Sequence, residues 1–467
     1  MSIAIIGAGT SGIACALQLI KLGVKGEDIT IFDKGHSLDK RQCFVTPETP
    51  CKKCKICSIT HGVGGAGSYS DSKLNFDTTG TIGGDMAELM SQLEIGVYLR
   101  KTYEMYKDFG LEEFSSKMYG TFHSPEATRI ISQIATNDKL DIIDAPTLHL
   151  GTENSRIIYS RMIDYLLAHN VNIKPDTEIQ KVNGQIIWYK TKDNIRIERF
   201  DKVVVAMGRS GNRLVKEICE SNNIRYKNGK VDIGVRVEVP NRVMEQLNKH
   251  FYECKIYFKG SFGDNARMFC TNPGGYVTVE SYSYNNLKLF TANGHAYANK
   301  KSDNTNFAIL VTRNFNEDCP NPLEHYAYPI IQATNSLGGG SVVLQSLKDI
   351  KLNRRTTEDR IKDLNITPTA NVYAGDITSV MPYRTLVTIL EFIKELDTIA
   401  PGIDGNDTLL YSPECKFHSN KVIIDKYGKS SNDDIYFIGD CSGYVRGLTT
   451  AFSHGILCAE NIFENMS

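Results

Sequence analysis

The sequence lacks a surplus of either charge: Lys and Arg total 53, Asp and Glu 54, for a formal net charge of −1. No basic arm or tail is present, so attraction to nucleic acid through bulk charge is disfavoured, while a local basic patch stays open. No apolar run reaches the roughly eighteen residues of a membrane-spanning helix, so none is expected. The opening "MSIAIIGAGTSG" is apolar but has neither a basic leader nor a cleavage site, which argues against a signal peptide. A second G-x-G-x-x-G is missing from residues 225–365, so no separate nicotinamide-dinucleotide domain is expected there. The glycines of "SLGGGSVVLQSLKDI", 336–350, lack both a preceding apolar strand and a following Gly-Lys-Ser/Thr, which excludes a phosphate loop; a loop and then a helix are expected.

Hydrophobic residues at 41% and charged residues at 23% fit an ordinary globular protein. At 467 residues the chain is too long for one compact core, and two or three units are expected. Twelve cysteines are scattered apart from a cluster at 43–57, which suits a reducing cytoplasm with mostly free thiols.

The first thirty-five residues carry the strongest pattern. Ile3 to Ile6 form a short apolar run, as a buried parallel strand requires. Gly7, Gly9 and Gly12 then spell G-x-G-x-x-G, with Thr10 and Ser11 at the expected helix start. Ala14, Leu17, Leu19 and Ile20 follow at helical spacing, and a second apolar run, Ile29 to Phe32, ends in Asp33 and Lys34. Gly7 permits a tight turn, Gly9 lets a pyrophosphate approach the backbone, and Gly12 lets helix and strand pack closely. The helix start offers free N–H groups and a positive dipole end to phosphates. Asp33 is placed to accept hydrogen bonds from an adenosine ribose and would repel a 2′-phosphate. Dinucleotide binding follows from strand, turn, helix, strand and acid appearing in order.

The far end of the chain answers the beginning. In "IYFIGDCSGYVRGLTTAFSHGILCAENIF", 435–463, an apolar strand meets Gly439 and Asp440, and a helix begins near Leu448. This resembles the C-terminal motif of FAD-dependent oxidoreductases. The resemblance implies that Asp440 bonds the ribityl chain and that the helix start, Gly447, Leu448, Thr449 and Thr450, points at the pyrimidine edge of the flavin, where a helix N-terminus favours negative charge. Cys441 would then lie beside the ribityl site, and a buried packing thiol is the expectation. "FDKVVVAMGRSGN", 200–212, resembles the return strand of the same fold and places Ala206 and Gly208 near the pyrophosphate.

The blocks "CKKCKICSITHGVGGAGSYSDSKLN", "VAMGRSGN", "VDIGVRVEVP", "MFCTNPGGYVTVE", "NGHAYANKKSDNTNFAIL" and "SPECKFHS" together resemble a bacterial group of FAD-dependent dehydrogenase-like proteins, with GGAG-x-x-SD-x-K as the most specific block. The resemblance runs from residue 3 to about 460 and implies fold and cofactor rather than reaction. It implies a Rossmann-type, three-layer FAD domain with a parallel sheet, assembled from 1–100, 150–222 and 370–467. A helical insertion at 101–149 and a largely antiparallel substrate or cap domain at 223–369 complete the expected division.

Within "HGVGGAGSYSDSK", 61–73, Gly62, Gly64, Gly65 and Gly67 leave bare backbone, which with Ala66 and Ser68 is expected to lie along the flavin. His61 and Lys73 are candidate catalytic groups there, His61 for moving a proton and Lys73 for holding charge near N5 or O4. Just before them, Cys43, Cys51, Cys54 and Cys57 form C-x7-C-x2-C-x2-C. The close spacing suits an iron–sulfur cluster, and zinc, a redox disulfide and plain structural thiols remain alternatives.

In the middle of the chain, "KVDIGVRVEVP", "YECKIYFKG", "GGYVTVESYS" and "NFAILVTRNF" predict an antiparallel sheet. Arg236, Cys270, Asn272, Tyr276, His295 and Arg446 are the candidate substrate-facing residues, with His295 and Arg446 expected nearest a cleft and Arg446 as an anion binder. Three functions stand open: an FAD-dependent oxidoreductase moving a hydride between a small organic substrate and flavin N5; a flavin-dependent oxidase or lyase tailoring an amine, amino acid or nucleobase; and a redox-relay flavoprotein using the cysteine cluster.

Overall fold

The computed structural model describes the chain except residues 44–53, 55, 71, 80–83, 115–117, 120–123, 144–145, 193, 252–254, 285–286, 297–299, 316–321 and 467. It divides into two compact units, one made of Met1–Lys117, Leu148–Gly229 and His418–Ser467, the other of Met118–Thr147 and Lys230–Phe417.

The first unit is built on a five-stranded parallel sheet in the order Ile435–Phe437, Lys202–Val205, Ile3–Ile6, Ile29–Phe32, Asn172–Lys174. Every residue of Ile3–Ile6 is buried, which is why that run carries no polar alternation. Ile3 lies opposite both Ile29 and Lys202, so the chain's first strand is flanked by its second and by the return strand. The opening and closing strands thus share one sheet, one strand apart.

Helices Thr10–Lys21 and Leu448–Glu464 pack against each other. Their contact is close because Gly455 faces the first helix: a Cβ there would fall 2.3 Å from the Ser11 carbonyl oxygen. The helix Gln92–Asp108 packs on the C-terminal helix and begins with a capping box between Ser91 and Glu94. A third layer consists of the antiparallel strands Glu178–Asn183, Ile186–Lys190 and Ile195–Arg199 with the helix Asn212–Ser221. Ile179, Val182, Ile187, Val215 and Ile218 from that layer bury with Ile6, Val203 and Val205 of the sheet. The expected three-layer α/β fold is borne out.

The second unit carries an eight-stranded sheet in the order Tyr373–Ala374, Val343–Ser346, Leu409–Phe417, Val231–Pro240, Asn304–Arg313, Asn265–Asn272, Lys255–Lys259, Leu140–Ile143. All neighbours run antiparallel except the first pair. Val235, Val237 and Val239 pack with Phe307, Ile309, Val311 and Met268, and with Met244, Ile389 and Phe392 of two covering helices. A separate two-stranded ribbon joins Tyr276–Tyr284 to Leu287–His295.

Three expectations meet a different arrangement. The helix Tyr383–Leu396 and the strand Leu409–Phe417 lie in the second unit, although the sequence pattern assigned everything from 370 onward to the first. The strand Leu140–Ile143 pairs with Lys255–Lys259 and is part of the second sheet rather than of a helical insertion. After the glycines of 336–350 comes the strand Val343–Ser346 before the helix Leu347–Lys351, because its backbone pairs with Leu409 to Ser412. Each partner is remote in sequence, and a short apolar run does not by itself distinguish strand from loop or helix.

Among the described residues no helix is long and apolar enough to cross a membrane. Phe307 is fully buried in the larger core. Phe307→Ala is expected to cost about 3–5 kcal/mol, measured as the shift in chemical denaturation of the purified chain.

Candidate dinucleotide site in the first unit

The turn after the first strand is shaped by glycines with nowhere for a side chain to go. Gly7 has φ +110°, and a Cβ on it would lie 2.4 Å from the Ala206 carbonyl oxygen of the return strand. On Gly12 a Cβ would fall 2.1 Å from the Gly7 carbonyl oxygen and 3.1 Å from Ile5. Gly9 caps the helix Thr10–Lys21, and the nearest atom to a Cβ there is Gly65 Cα at 3.8 Å. This is a cradle of bare backbone at a helix N-terminus, the arrangement that receives a pyrophosphate.

Asp33 ends the second strand. Its Oδ2 accepts from the Ala8 N–H at 3.0 Å and its Oδ1 from the Gly35 N–H at 2.9 Å. The carboxylate therefore fixes the turn as well as standing where a ribose is expected. Burial pushes its pKa up, opposed by those two amides. Burial pushes the neighbouring Lys34 ammonium down, opposed by the Asp33 charge.

The glycine block lies on this turn. The Gly64 N–H donates to the Ala8 carbonyl at 2.8 Å, and a Cβ on Gly65, φ +60°, would lie 2.6 Å from Gly9 Cα. Ala66 leads into a short 3-10 turn, Gly67–Tyr69. A Cβ on Gly67 would fall 2.6 Å from Thr10 Oγ1, 2.7 Å from the Tyr159 hydroxyl and 3.0 Å from Leu448. Thr10 Oγ1 and the Tyr159 hydroxyl share a hydrogen bond of 2.7 Å, and Tyr159 reaches the Tyr106 hydroxyl at 3.2 Å.

The C-terminal motif arrives at the same place. Gly439, φ +67°, leaves no room for a side chain, since a Cβ would lie 2.4 Å from Ser11 Oγ. Asp440 accepts from Ser419 Oγ at 2.7 Å and from Arg209 Nη2 at 3.0 Å. Gly208, φ +62°, stands immediately before Arg209 with no atom within 4 Å of a Cβ. Gly447 caps the helix Leu448–Glu464. Thr449 Oγ1 is tied to the Asn75 carbonyl at 2.5 Å and Thr450 Oγ1 to the Gly447 carbonyl at 3.2 Å. Cys441 is fully buried, its Sγ lies 3.2 Å from both the Val205 and Ile438 carbonyls, and burial pushes its pKa up to about 12. It is a packing thiol.

The candidate catalytic groups are placed unequally. His61 bonds Thr60 Oγ1 through Nδ1 at 2.7 Å, and burial, reinforced by the Lys34 charge, lowers its pKa to about 4. It is a neutral imidazole at pH 7. Lys73 begins the half-buried strand Lys73–Asn75. Arg446 does not stand open for an anion: it bonds Asp85 Oδ1 at 3.1 Å and His418 Nδ1 at 2.9 Å. His295 sits half-buried in the second unit's ribbon, opposite Tyr276. In that unit Arg236 is fully buried, donating to Asn306 Oδ1 at 2.7 Å and to the Cys270 carbonyl at 2.8 Å, and Asn272 donates to the same carbonyl at 3.1 Å.

Cys43, Cys54 and Cys57 are free thiols, and Cys51 lies outside the described residues. Among the described residues no group of three or more His, Cys, Asp or Glu side chains is arranged to hold a metal. The iron–sulfur and zinc expectations therefore gain no support.

Sequence reasoning missed Arg41. This side chain is 1% exposed and threads the glycine block. Its Nε donates to the Ser58 carbonyl at 2.9 Å, Nη1 to Val63 O at 2.7 Å and Ser68 Oγ at 2.9 Å, and Nη2 to Ile59 O at 3.0 Å and Gly65 O at 2.9 Å. An isolated Arg among lysines carries no periodic signal; the one hint was its position before a glycine-rich segment full of exposed carbonyls.

Residues 230–417 match the family model described as "FAD-dependent protein, C-terminal domain-like". Those limits coincide with the long segment of the second unit, Lys230–Phe417. No curated protein matches the chain. Solved structures similar to it include L-proline dehydrogenase from P. horikoshii, with 11% identity, 99% of this chain and 93% of that chain covered, and a TM-score of 0.37. Glycine oxidase from Bacillus cereus gives 10% identity, 100% and 95% coverage, and a TM-score of 0.38. E. coli quinol fumarate reductase FrdA gives 13% identity, 99% and 70% coverage, and a TM-score of 0.41. The family match covers the long segment of the second unit, and the glycine cradle lies in the first unit. That match agrees with the resemblance to FAD-dependent proteins read from the sequence blocks.

Ala placed at Gly65 is expected to strain the backbone by about 1–3 kcal/mol and press on Gly9. Gly65→Ala should retain its fold by circular dichroism and lose most of its flavin by the ratio of visible to ultraviolet absorbance. Gly263→Ala, at φ +75° with open space around it, should retain the flavin. A pH effect follows from His61 and from the fully buried His454, whose pKa burial also lowers to about 4. Both values lie below the ordinary 6.5, so between 6.5 and 4 the unfolded chain binds more protons. Stability should fall as pH drops through that window, and His454→Gln should flatten the slope in denaturation curves.

Proposed function

We propose that the chain is an FAD-dependent oxidoreductase whose first unit binds FAD and whose second unit serves the substrate. The observation that carries this reading is the meeting, within one unit, of the Gly7–Gly12 turn, the Gly64–Gly67 block and the Gly439 and Leu448 junction. Three segments remote in sequence present bare backbone and two helix N-termini to one region, and the residues there fit the group: the cradle at Gly9 is one a Cβ would fill.

Gly7, Gly9, Thr10, Ser11 and Gly12 would hold the pyrophosphate, with Asp33 and Lys34 at the adenosine ribose. Gly64, Gly65, Ala66, Gly67 and Ser68 would line the cofactor, Ala206 and Gly208 would close over the pyrophosphate, and Gly439, Asp440, Gly447, Leu448, Thr449 and Thr450 would serve the ribityl and flavin end. When bound, FAD supplies two-electron hydride chemistry at N5, and the protein supplies orientation and electrostatics. His61, neutral at pH 7, would offer the cofactor or substrate a ring nitrogen as a hydrogen-bond donor or acceptor rather than a stored proton. Arg446 acts as a clamp between Asp85 and His418, and His295 and Arg236 belong to the substrate unit. The partner is a small organic molecule. The free cysteines among the described residues suit a reducing compartment such as the cytoplasm.

The test is direct. Protein purified without added flavin, then denatured, should release FAD identifiable by chromatography. Anaerobic titration with NADH, NADPH and then dithionite should bleach the flavin band. A protein that releases no flavin and takes up none on reconstitution removes this reading. Rapid reoxidation by O2 with peroxide release would move it to the oxidase alternative.

A further inference from the structure

Among the described residues, the groups that hydrogen-bond the buried Arg41 guanidinium are all neutral. Its hydrogen bonds go to the carbonyls of Ser58, Ile59, Val63 and Gly65 and to the Ser68 hydroxyl, with Gly62 O more distant at 3.4 Å. One face of the guanidinium lies over the Tyr69 ring at 4.6 Å, and Arg156 stacks on the same ring at 5.1 Å, adding a second positive charge. Arg156 is itself hydrogen-bonded to neutral groups, the Leu38 carbonyl at 3.0 Å and the Arg41 carbonyl at 3.3 Å. Burial pushes the pKa of the Arg41 guanidinium down, opposed by the fields of Tyr69, Asp33 and Cys57; Asp33 makes no hydrogen bond to it, and both its oxygens are already engaged by amides.

Carbonyl dipoles satisfy the donors of a buried guanidinium but do not cancel its charge, and an uncancelled charge away from water is costly. An anion close by would relieve that cost. The geometry says where the anion belongs. The carbonyls gripped by Arg41 are those of Val63 and Gly65, which flank Gly64. That residue's N–H is bonded to Ala8 O, while Gly65 presses on Gly9. The guanidinium therefore lies one peptide layer behind the Gly7–Gly9 turn. The anion suited to that turn is a pyrophosphate, which brings negative charge and sits on the helix N-terminus.

We propose that Arg41 is a positioning residue for the dinucleotide: it folds the glycine block onto the Gly7–Gly9 turn, and its buried charge is completed by the pyrophosphate of the bound cofactor. This rests on the FAD reading above and adds a charge requirement that the glycine cradle alone does not impose.

The test separates shape from charge. Flavin would be stripped from the wild-type protein and from Arg41→Lys and Arg41→Gln. Each apo-protein would be checked for its melting transition and titrated with FAD by flavin fluorescence. Lysine keeps the charge and loses the planar fork; glutamine loses the charge and keeps a planar hydrogen-bonding group. A charge role predicts that R41Q binds FAD about tenfold more weakly than R41K or worse, with both folded. Equal losses in the two variants, or R41Q within twofold of wild type, overturns the proposal. Should R41Q not fold, inorganic pyrophosphate is titrated against FAD: competition in wild type that is retained in folded R41K supports the charge pairing, and competition absent from wild type or lost in R41K overturns it. A wild-type apo-protein that takes up no FAD would instead sink the functional reading, so the two failures are distinguishable.

Discussion

The first turn of the first helix is approached closely from several remote segments, and much of the first unit is arranged around those approaches. Gly7 abuts the return strand at Ala206, Gly12 abuts Gly7 itself, and Gly9 lies under Gly65. Ser11 is approached from two further directions, its hydroxyl by Gly439 and its carbonyl by Gly455. No one of these contacts is strong. Their effect is steric: each glycine removes a Cβ that would hold two backbones apart, and the N–H groups at the helix start stay free of side chains. A dinucleotide site of this kind is a hole shaped by missing atoms, and substitution fails there through collision or backbone strain rather than through loss of a bond.

Polar side chains then fix what the glycines permit. Asp33 ties the turn to the second strand through Ala8 and Gly35. Arg41 gathers the segment from Ser58 to Ser68 around one guanidinium, a use that suits arginine's rigid five-donor fork and that lysine could not reproduce. Asp440 is held by Ser419 and Arg209, and Arg446 by Asp85 and His418. Several charged groups that look like ligand contacts in the sequence are thus shared with the scaffold. The second unit repeats the theme on its own: Arg236 and Glu414 are fully buried within 3.5 Å of each other, and Asn306 accepts from Arg236.

Much of this was legible in the residues. The all-apolar runs Ile3–Ile6 and Ile29–Phe32, the glycines between, and the closing Gly439-Asp440 junction determined the parallel sheet and its dinucleotide turn, because buried parallel strands and tight turns impose strong local composition. The strand-like runs of 231–313 pointed to an antiparallel sheet. Only the tertiary structure decided where Leu140–Ile143 and Leu409–Phe417 pair, since strand partners far apart in sequence leave no local trace. It alone decided that Arg41 is interior, because burial of a guanidinium depends on carbonyls supplied by a loop some twenty residues away. It also decided that Arg446 is engaged rather than open, because an arginine's partner is set by whichever carboxylate the fold delivers, here Asp85. Sequence fixes what is periodic or sterically compulsory; the pairing of charges waits for the chain to close on itself.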